Sequence, residues 1–368
     1  MSNERLKILI AAGGTGGQVF PAIAIADEIK KLRSNAELLF VGTKGKIESR
    51  VVPQQGYVLA FIWISGFHRS VRIDNLLFPI KVFVSLVQSF FLMKRFQPDI
   101  VIGTGGYVCG PVLYIASLLG IPTVVHESNS YPGITTRLLS TRATRIYTAF
   151  DATASWLKRK DNIELTGTPT RDALGNVSRE DGIRFFNLNP SKKTVFVFGG
   201  SLGAASINEA VKLLLNDFID SNIQLIWQTG KTDTMLVKEM SAMKNCWVNT
   251  FIDKIENAYA SADVVVCRAG AMTLAELTRL GKASILIPYP FAAADHQTFN
   301  AQTLVNAGAA VMIADQDVKI KLKDVLNSIL DDDKKRRQMN EASLALGKPN
   351  AGREIAQRIL ELTHSLHK

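Results

Sequence analysis

The chain has no run of about 18 apolar residues, the length that a membrane-crossing helix needs. Its start, Met1 to Lys7, is short and polar. Ile8 to Ala12 is too brief for a signal-peptide core and reads as a first strand. Cysteine is scarce. Cys109, Cys246 and Cys267 form no C-x-x-C pair, which argues against a disulfide framework or a structural zinc site and for a reducing compartment. No compact set of Asp, Glu and His demands a metal, although a loosely bound magnesium is compatible with the sequence. No nucleic-acid module is recognisable, because the motifs are glycine turns rather than aromatic–basic repeats. Acidic residues are the last shortage: 33 against 43 Lys and Arg, a net charge of +10. That balance suits an anionic partner, whether nucleic acid, nucleotide or lipid surface, and does not choose among them.

What is present suffices for a real core: 368 residues, 47% hydrophobic and 21% charged, enough for two domains or one large one. A strand–glycine turn–helix design recurs. Lys7 to Ala12 leads into Gly13-Gly14-Thr15-Gly16-Gly17 and a helical pattern from Val19. This loop is neither a P-loop nor G-x-G-x-x-G, since no Gly-Lys-Ser/Thr follows and the last position counted from Gly14 is Val19. Asp99 to Ile102 leads into Gly103 to Pro111, and Thr194 to Phe198 into Gly199 to Ala204. Further strands are read at Leu38 to Val41, within Gln55 to Ile64, and at Thr123 to His126, Ile146 to Ala149, Leu225 to Gln228, Trp247 to Phe251, Val264 to Cys267 and Ser284 to Ile287. The alternation predicts two doubly wound α/β units joined near residue 167, with no strand order legible.

Chemistry collects at the carboxyl ends of these strands, where open α/β sheets bind ligands. His126-Glu127-Ser128-Asn129 ends one strand. Cys267 to Glu276 ends another and opens a helix, whose first-turn N–H groups and dipole would favour an anion. Glu276, about a turn in, could accept from a sugar diol. Asp295 to Asn300 offers amides to a hydroxyl-rich ligand, or else a helix start capped by Asp295. Asn75 to Phe96 is rich in Leu, Phe, Val and Ile, interrupted early by Pro79 and Lys81. It reads either as a core helix or as an amphipathic surface, with basic flanks at Arg69, Arg72, Lys81, Lys94 and Arg95, that meets anionic lipid. Gly199 to Gly203 also fits the G-x-S-x-G elbow of α/β hydrolases, with Ser201 as nucleophile, Asp253, Asp263 or Asp295 as acid and His296 as base.

Taken in order, Gly13 to Gly17 with Val19-Phe20-Pro21, Gly103 to Pro111, His126 to Asn129, Gly199 to Asn208, Ala262 to Glu276 and Asp295 to Asn300 closely resemble the MurG family of bacterial glycosyltransferases. That family adds N-acetylglucosamine to lipid I in peptidoglycan synthesis. The resemblance implies a GT-B fold, two Rossmann-like doubly wound domains facing across a cleft. The expected domains are 1–167 with 348–368, on the acceptor and membrane side, and 168–347, which binds the UDP-sugar. It implies UDP-N-acetylglucosamine as donor, no required cofactor, lipid I as acceptor, an anionic membrane surface as partner and no nucleic acid. The expected place is the cytoplasmic face of the cell membrane, bound peripherally. The nearest rival is another nucleotide-sugar transferase.

Site residues follow from the same resemblance. Ile252 would meet uracil through its backbone. Ala271, Met272, Thr273, Leu274, Ala275 and Glu276 would hold the diphosphate and ribose, with Ser201 and Arg171 also at the diphosphate. Gln297 would hold the sugar hydroxyls. Thr15, Gly16, Gly17 and Asn129 would face the donor sugar, while Gly105, Gly106 and Tyr107 would take the acceptor's pyrophosphate. The role of Arg268 stays open. Two positions depart from the family: Gln18 stands where histidine is usual, and Thr168 where asparagine is common. Glutamine cannot act as a base near neutral pH, so Glu127 becomes the expected base and Gln18 a positional or water-holding residue.

Overall fold

A computed structural model describes residues 5–66, 77–220, 223–231, 234–240, 243 and 245–366. The chain divides into two compact units, Met1–Thr170 with Pro349–Lys368, and Arg171–Lys348.

In the first unit β1 (Lys7–Ala11), β2 (Glu37–Gly42), β3 (Val58–Phe61), β4 (Ile100–Gly103), β5 (Thr123–Glu127), β6 (Arg145–Thr148) and β7 (Ile163–Leu165) make one parallel sheet, in the order β3-β2-β1-β4-β5-β6-β7. The apolar runs are continuous because helices cover both faces. Ile8, Ile10, Ile100, Ile102 and Val124 enter one core, while Leu9, Ala11, Val101 and Val125 enter the other, the two-residue alternation of a pleated strand. The final helix, Ala351–Leu366, belongs here. Its Ile355, Ala356 and Ile359 share a core with Val19, Ala22, Ile23 and Ala26 of the helix Gly16–Leu32.

The second unit repeats the plan with β8 (Lys193–Phe198), β9 (Ile223–Gln228), β10 (Cys246–Asn249), β11 (Val264–Cys267), β12 (Ser284–Leu286) and β13 (Ala310–Met312). All are parallel, in the order β10-β9-β8-β11-β12-β13. Val195, Val197, Leu225, Trp227, Val264, Val266 and Ile285 pack there against Ile207, Val318, Leu322 and Leu326.

In each sheet the order reverses once, between β1 and β4 and between β8 and β11. Such switch points leave a crevice beyond the strands' carboxyl ends. Three glycine loops and the Cys267–Gly270 turn follow these four strands.

The strands β7 and β13 were not anticipated. Each has three residues; β7 holds the charged Glu164, and β13 lies in an apolar run, Ala309 to Ala314, left out of the expected strands. Pro79 does not break the helix Phe78–Phe96. It sits in the first turn, where a missing N–H costs nothing, and the helix ends at Gln97 with φ of 53°. Nor is this simply a core helix. Only Ser85, Ser89 and Met93 are buried on it, a stripe at four-residue spacing, while Ile80, Phe83, Val87, Phe90 and Phe91 are exposed. Arg69, Arg72 and Leu76 lie outside the described residues.

Candidate active site

In the first unit the two glycine loops meet backbone to backbone. Gly106 has φ of 90°, and a Cβ there would stand 2.1 Å from the Gly13 carbonyl oxygen. The Gln18 amide joins the loops. Turned so that its nitrogen faces the carbonyl, it donates to Gly13 O at 2.6 Å and accepts from the Gly106 N–H at 3.2 Å. Thr104 Oγ1 donates to the Gln18 carbonyl at 2.7 Å, and Cys109 Sγ to Ala11 O and Gly105 O. Below them Glu48, fully buried, accepts from Gly14 N and from Thr43 through both its N–H and its hydroxyl. A Cβ on Gly13 would lie 2.6 Å from Glu48 Oε1, so a side chain there would push the carboxylate off its bonds to Gly14 and Thr43. The helix Gly16–Leu32 starts with neither a side-chain cap nor an acid in its first turn, leaving that end for an anion.

Beside these loops β5 delivers His126 and Glu127. The His126 ring is buried. Its Nε2 donates to Gly167 O at 3.0 Å, and burial pushes its pKa down to about 4, so it is a neutral structural group. Glu127 is 5% exposed. Its Oε1 accepts from the N–H and Nδ2 of Asn129, and its Oε2 from Gly133 N and, at 2.6 Å, Thr136 Oγ1. Four donors thus hold the carboxylate, and through it the turn that presents Asn129.

In the second unit the loop after β8 is locked in the same way. Gly203 has φ of 85°, and a Cβ there would lie 2.1 Å from Thr229 O. Gln228, at the end of β9, donates to Gly200 O and accepts from Ile252 N, tying the loop to Ile252. The helix Ala271–Arg279 begins without a side-chain cap or a first-turn acid. On it Glu276 is buried. Its Oε2 accepts from Tyr259 OH at 2.9 Å. Its Oε1 is buried without a hydrogen bond, with Arg171 Nε at 3.5 Å. Burial raises its pKa, opposed by the Arg171 charge and the Tyr259 hydroxyl. Arg268 binds the Ile287 and Pro288 carbonyls, Asp315 and Ser206, and lies over the Tyr289 ring. Gln297 Oε1 accepts from Tyr289 N, which leaves its amide nitrogen for a ligand. Ala294 and Asp295, in the turn between, have φ of 52° and 54°, sparsely populated for side-chain-bearing residues.

The models of the glycosyltransferase family 28 N-terminal domain and C-terminal domain match residues 8–148 and 194–359, more than half of the chain. The chain belongs to glycosyltransferase family 28. Family members in Flavobacterium psychrophilum and Chlorobaculum tepidum, both named UDP-N-acetylglucosamine–N-acetylmuramyl-(pentapeptide) pyrophosphoryl-undecaprenol N-acetylglucosamine transferase, are 42% identical to it. The first covers 98% of this chain and 99% of the relative, the second 98% and 100%. The crystal structure of MurG from Acinetobacter baumannii superposes with a TM-score of 0.78 at 27% identity, over 97% of this chain and 100% of that one. The fold is accordingly GT-B.

Among the residues expected at the family 28 site, the structure gathers Thr15, Gly16, Gly17, Gln18, Gly105 and Gly106 around one switch point, with Tyr107 exposed beside it and its ring against Gly66. Around the other it places Ser201, exposed, and Ala271 to Glu276. Leu274 is wholly buried, so only its backbone can serve a ligand, and Ile252 has already given its N–H to Gln228. Thr168, the other departure, is buried with its hydroxyl unpaired, a mild cost. The hydrolase alternative has no support here. Asp263 accepts from Thr194 N at the opposite end of β8 from Ser201, and His296 Nδ1 is bonded to Ala293 O. Glu48, Gln228 and Tyr259 were missed. Gln228 was legible as a polar residue closing an apolar strand, as His126 was. Glu48 and Tyr259 carry no such mark.

The buried His126 sets a pH limit on the first unit. Its folded pKa lies below the ordinary 6.5, so the unfolded chain binds a proton that the folded chain refuses. Stability is full above about pH 6.5 and falls by roughly 3 kcal/mol as pH drops towards 4. Urea unfolding between pH 7 and 4 should show this slope, flattened in His126→Gln; an equal slope in both would contradict it.

Proposed function

We propose that this family 28 enzyme transfers N-acetylglucosamine, with inversion, from UDP-N-acetylglucosamine to the MurNAc 4-hydroxyl of lipid I, giving lipid II for peptidoglycan synthesis. The observation carrying this reading is 42% identity over nearly the whole length of relatives named for that reaction. Residues 171–348 take the donor. The uncapped helix start at Ala271, the Gly199–Gly203 loop with Ser201, and Arg171 face the diphosphate, where fixed donors stabilise the charge that builds as UDP leaves. Glu276 accepts from the ribose, the Ile252 carbonyl meets uracil, and Gln297 meets the sugar. Residues 1–170 with the final helix take the acceptor. Its pyrophosphate lies at Gly105, Gly106 and Tyr107, and the helix start at Thr15, Gly16 and Gly17, with Asn129, faces the sugar being transferred.

Gln18 takes a positional role, a reading supported by the use of both ends of its amide in joining the two loops. Glu127 serves as base on one condition: Asn129 gives its side-chain amide to the sugar, which frees one lone pair of Oε1 while the Asn129 N–H stays bonded to it. Transfer of labelled N-acetylglucosamine to a lipid I analogue, with UDP-glucose and UDP-N-acetylgalactosamine as controls, tests the substrate assignment. Equal use of the three donors would point to another nucleotide-sugar transferase. In the same assay Glu127→Gln should lower turnover by about 10²–10⁴-fold with UDP affinity unchanged, and unaltered turnover removes Glu127 as base.

The acceptor's lipid keeps it in a membrane, and the helix Phe78–Phe96 suits attachment to the cytoplasmic leaflet. No described helix is long and apolar enough to cross a membrane. On this one Ile80, Phe83, Val87, Phe90 and Phe91 are exposed, Lys81 lies over Trp63, and Lys94 over Phe90. Apolar side chains framed by cations suit an anionic lipid interface. Phe83→Ser with Phe91→Ser should weaken binding to phosphatidylglycerol vesicles in flotation; undiminished binding would exclude this face.

A further inference from the structure

Among the buried carboxylates of the two sites, Glu276 alone has an oxygen that is buried and without a hydrogen bond. What aims that oxygen is Tyr259, on the helix Ile255–Ser261. Its ring is fully buried, edge-on to Phe196 at 5.4 Å and to Phe198 at 6.0 Å, and those two rings stack on each other at 4.7 Å. Locked there, the ring directs its hydroxyl to Glu276 Oε2, to which it donates at 2.9 Å. A phenylalanine would fill nearly the same volume without a polar atom to bury, so packing does not require the hydroxyl.

We infer that Tyr259 is a positioning residue for nucleoside recognition: its hydroxyl holds one oxygen of Glu276 so that the other is presented to a vicinal diol. This rests on the reading of Glu276 as the ribose acceptor. A carboxylate with neither oxygen fixed can rotate about its last bond, and a diol then meets a group that must be ordered on binding. With Oε2 held, that ordering is already done.

The surroundings give a second readout. The titratable and charged groups facing Glu276 are Arg171, Tyr259 and Cys267. Burial raises the Cys267 thiol well above the working range, so it stays neutral. Burial raises the Glu276 carboxyl, while Arg171 and the Tyr259 hydroxyl lower it. Removing the hydroxyl therefore moves protonation of Glu276 to higher pH, and diol binding fails earlier on acidification.

The test is calorimetric titration of the full chain with UDP and with 2′-deoxy-UDP, from pH 5 to 8, in wild type, Tyr259→Phe and Glu276→Gln. The wild type should prefer the ribonucleotide by about tenfold or more. Tyr259→Phe should lose most of that preference and shift the acid limb of UDP binding upward in pH. If the wild type shows no preference, the ribose reading of Glu276 falls. If the wild type prefers UDP, Glu276→Gln does not, and Tyr259→Phe keeps both preference and acid limb, the positioning role alone is overturned. Should Tyr259→Phe fail to fold with its carboxylate unpaired, the double variant with Glu276→Gln removes the charge. Its preference should equal that of Glu276→Gln alone, and a further drop would contradict action through Glu276.

Discussion

Close approach of glycine backbone, across the β1–β4 switch point in one sheet and between the β8 and β9 loops beside the switch point in the other, is the constraint on which the rest depends. At Gly106 and at Gly203 a single added carbon would stand 2.1 Å from a carbonyl oxygen of the neighbouring loop. Both residues also have positive φ, so a side chain is excluded twice over. The loops can therefore pack against each other and still leave the starts of the helices Gly16–Leu32 and Ala271–Arg279 uncapped, with free donors pointing out of the sheet. Within each unit the parallel strands place the helix start at the sheet's carboxyl edge, and the reversal of strand order opens space above it.

Buried carboxylates divide into two kinds around this frame. Glu48 spends its lone pairs on loop N–H and hydroxyl groups and acts as a brace, and Glu127 is braced in the same way for as long as Asn129 keeps its side-chain amide on Oε1. Glu276 is held on one side only, by Tyr259, and keeps an unsatisfied oxygen beside Arg171. An unpaired buried acceptor is costly unless a ligand completes it, which separates a binding group from a structural one more clearly than burial does. By the same measure Gln18 is a brace. Its amide supplies the donor and the acceptor that two opposed loops need, work that asks nothing of a titrating group.

The architecture was largely legible. Strand–glycine–helix units announced the parallel sheets, because continuous apolar runs and glycine turns have few other uses. Short edge strands did not: β7 and β13 carry three residues each, too few to show a period. Residues proposed for the site stand out in the sequence where they close a strand or open a helix, as with Glu127, Glu276 and Ser201. Their roles were less legible. That Glu127 is held by four donors depends on Gly133 and Thr136, whose turn sequence alone does not place. Glu48 and Tyr259 reach the site from the short helices Glu48–Gln54 and Ile255–Ser261, which no motif marks, and Arg268, left open at first, binds β12's end to Ser206 and Asp315.

The measurement that bears most directly on this account is UDP affinity by calorimetry in Gly203→Ala and Gly106→Ala, each checked for retained folding by circular dichroism. If the loop after β8, packed on the β9 loop beside the switch point, builds the nucleotide site, Gly203→Ala weakens UDP binding by about tenfold or more. Gly106→Ala, at the other switch point, leaves it within about twofold while abolishing sugar transfer. Equal losses of UDP affinity in both, or a loss in Gly106→Ala alone, would contradict the account.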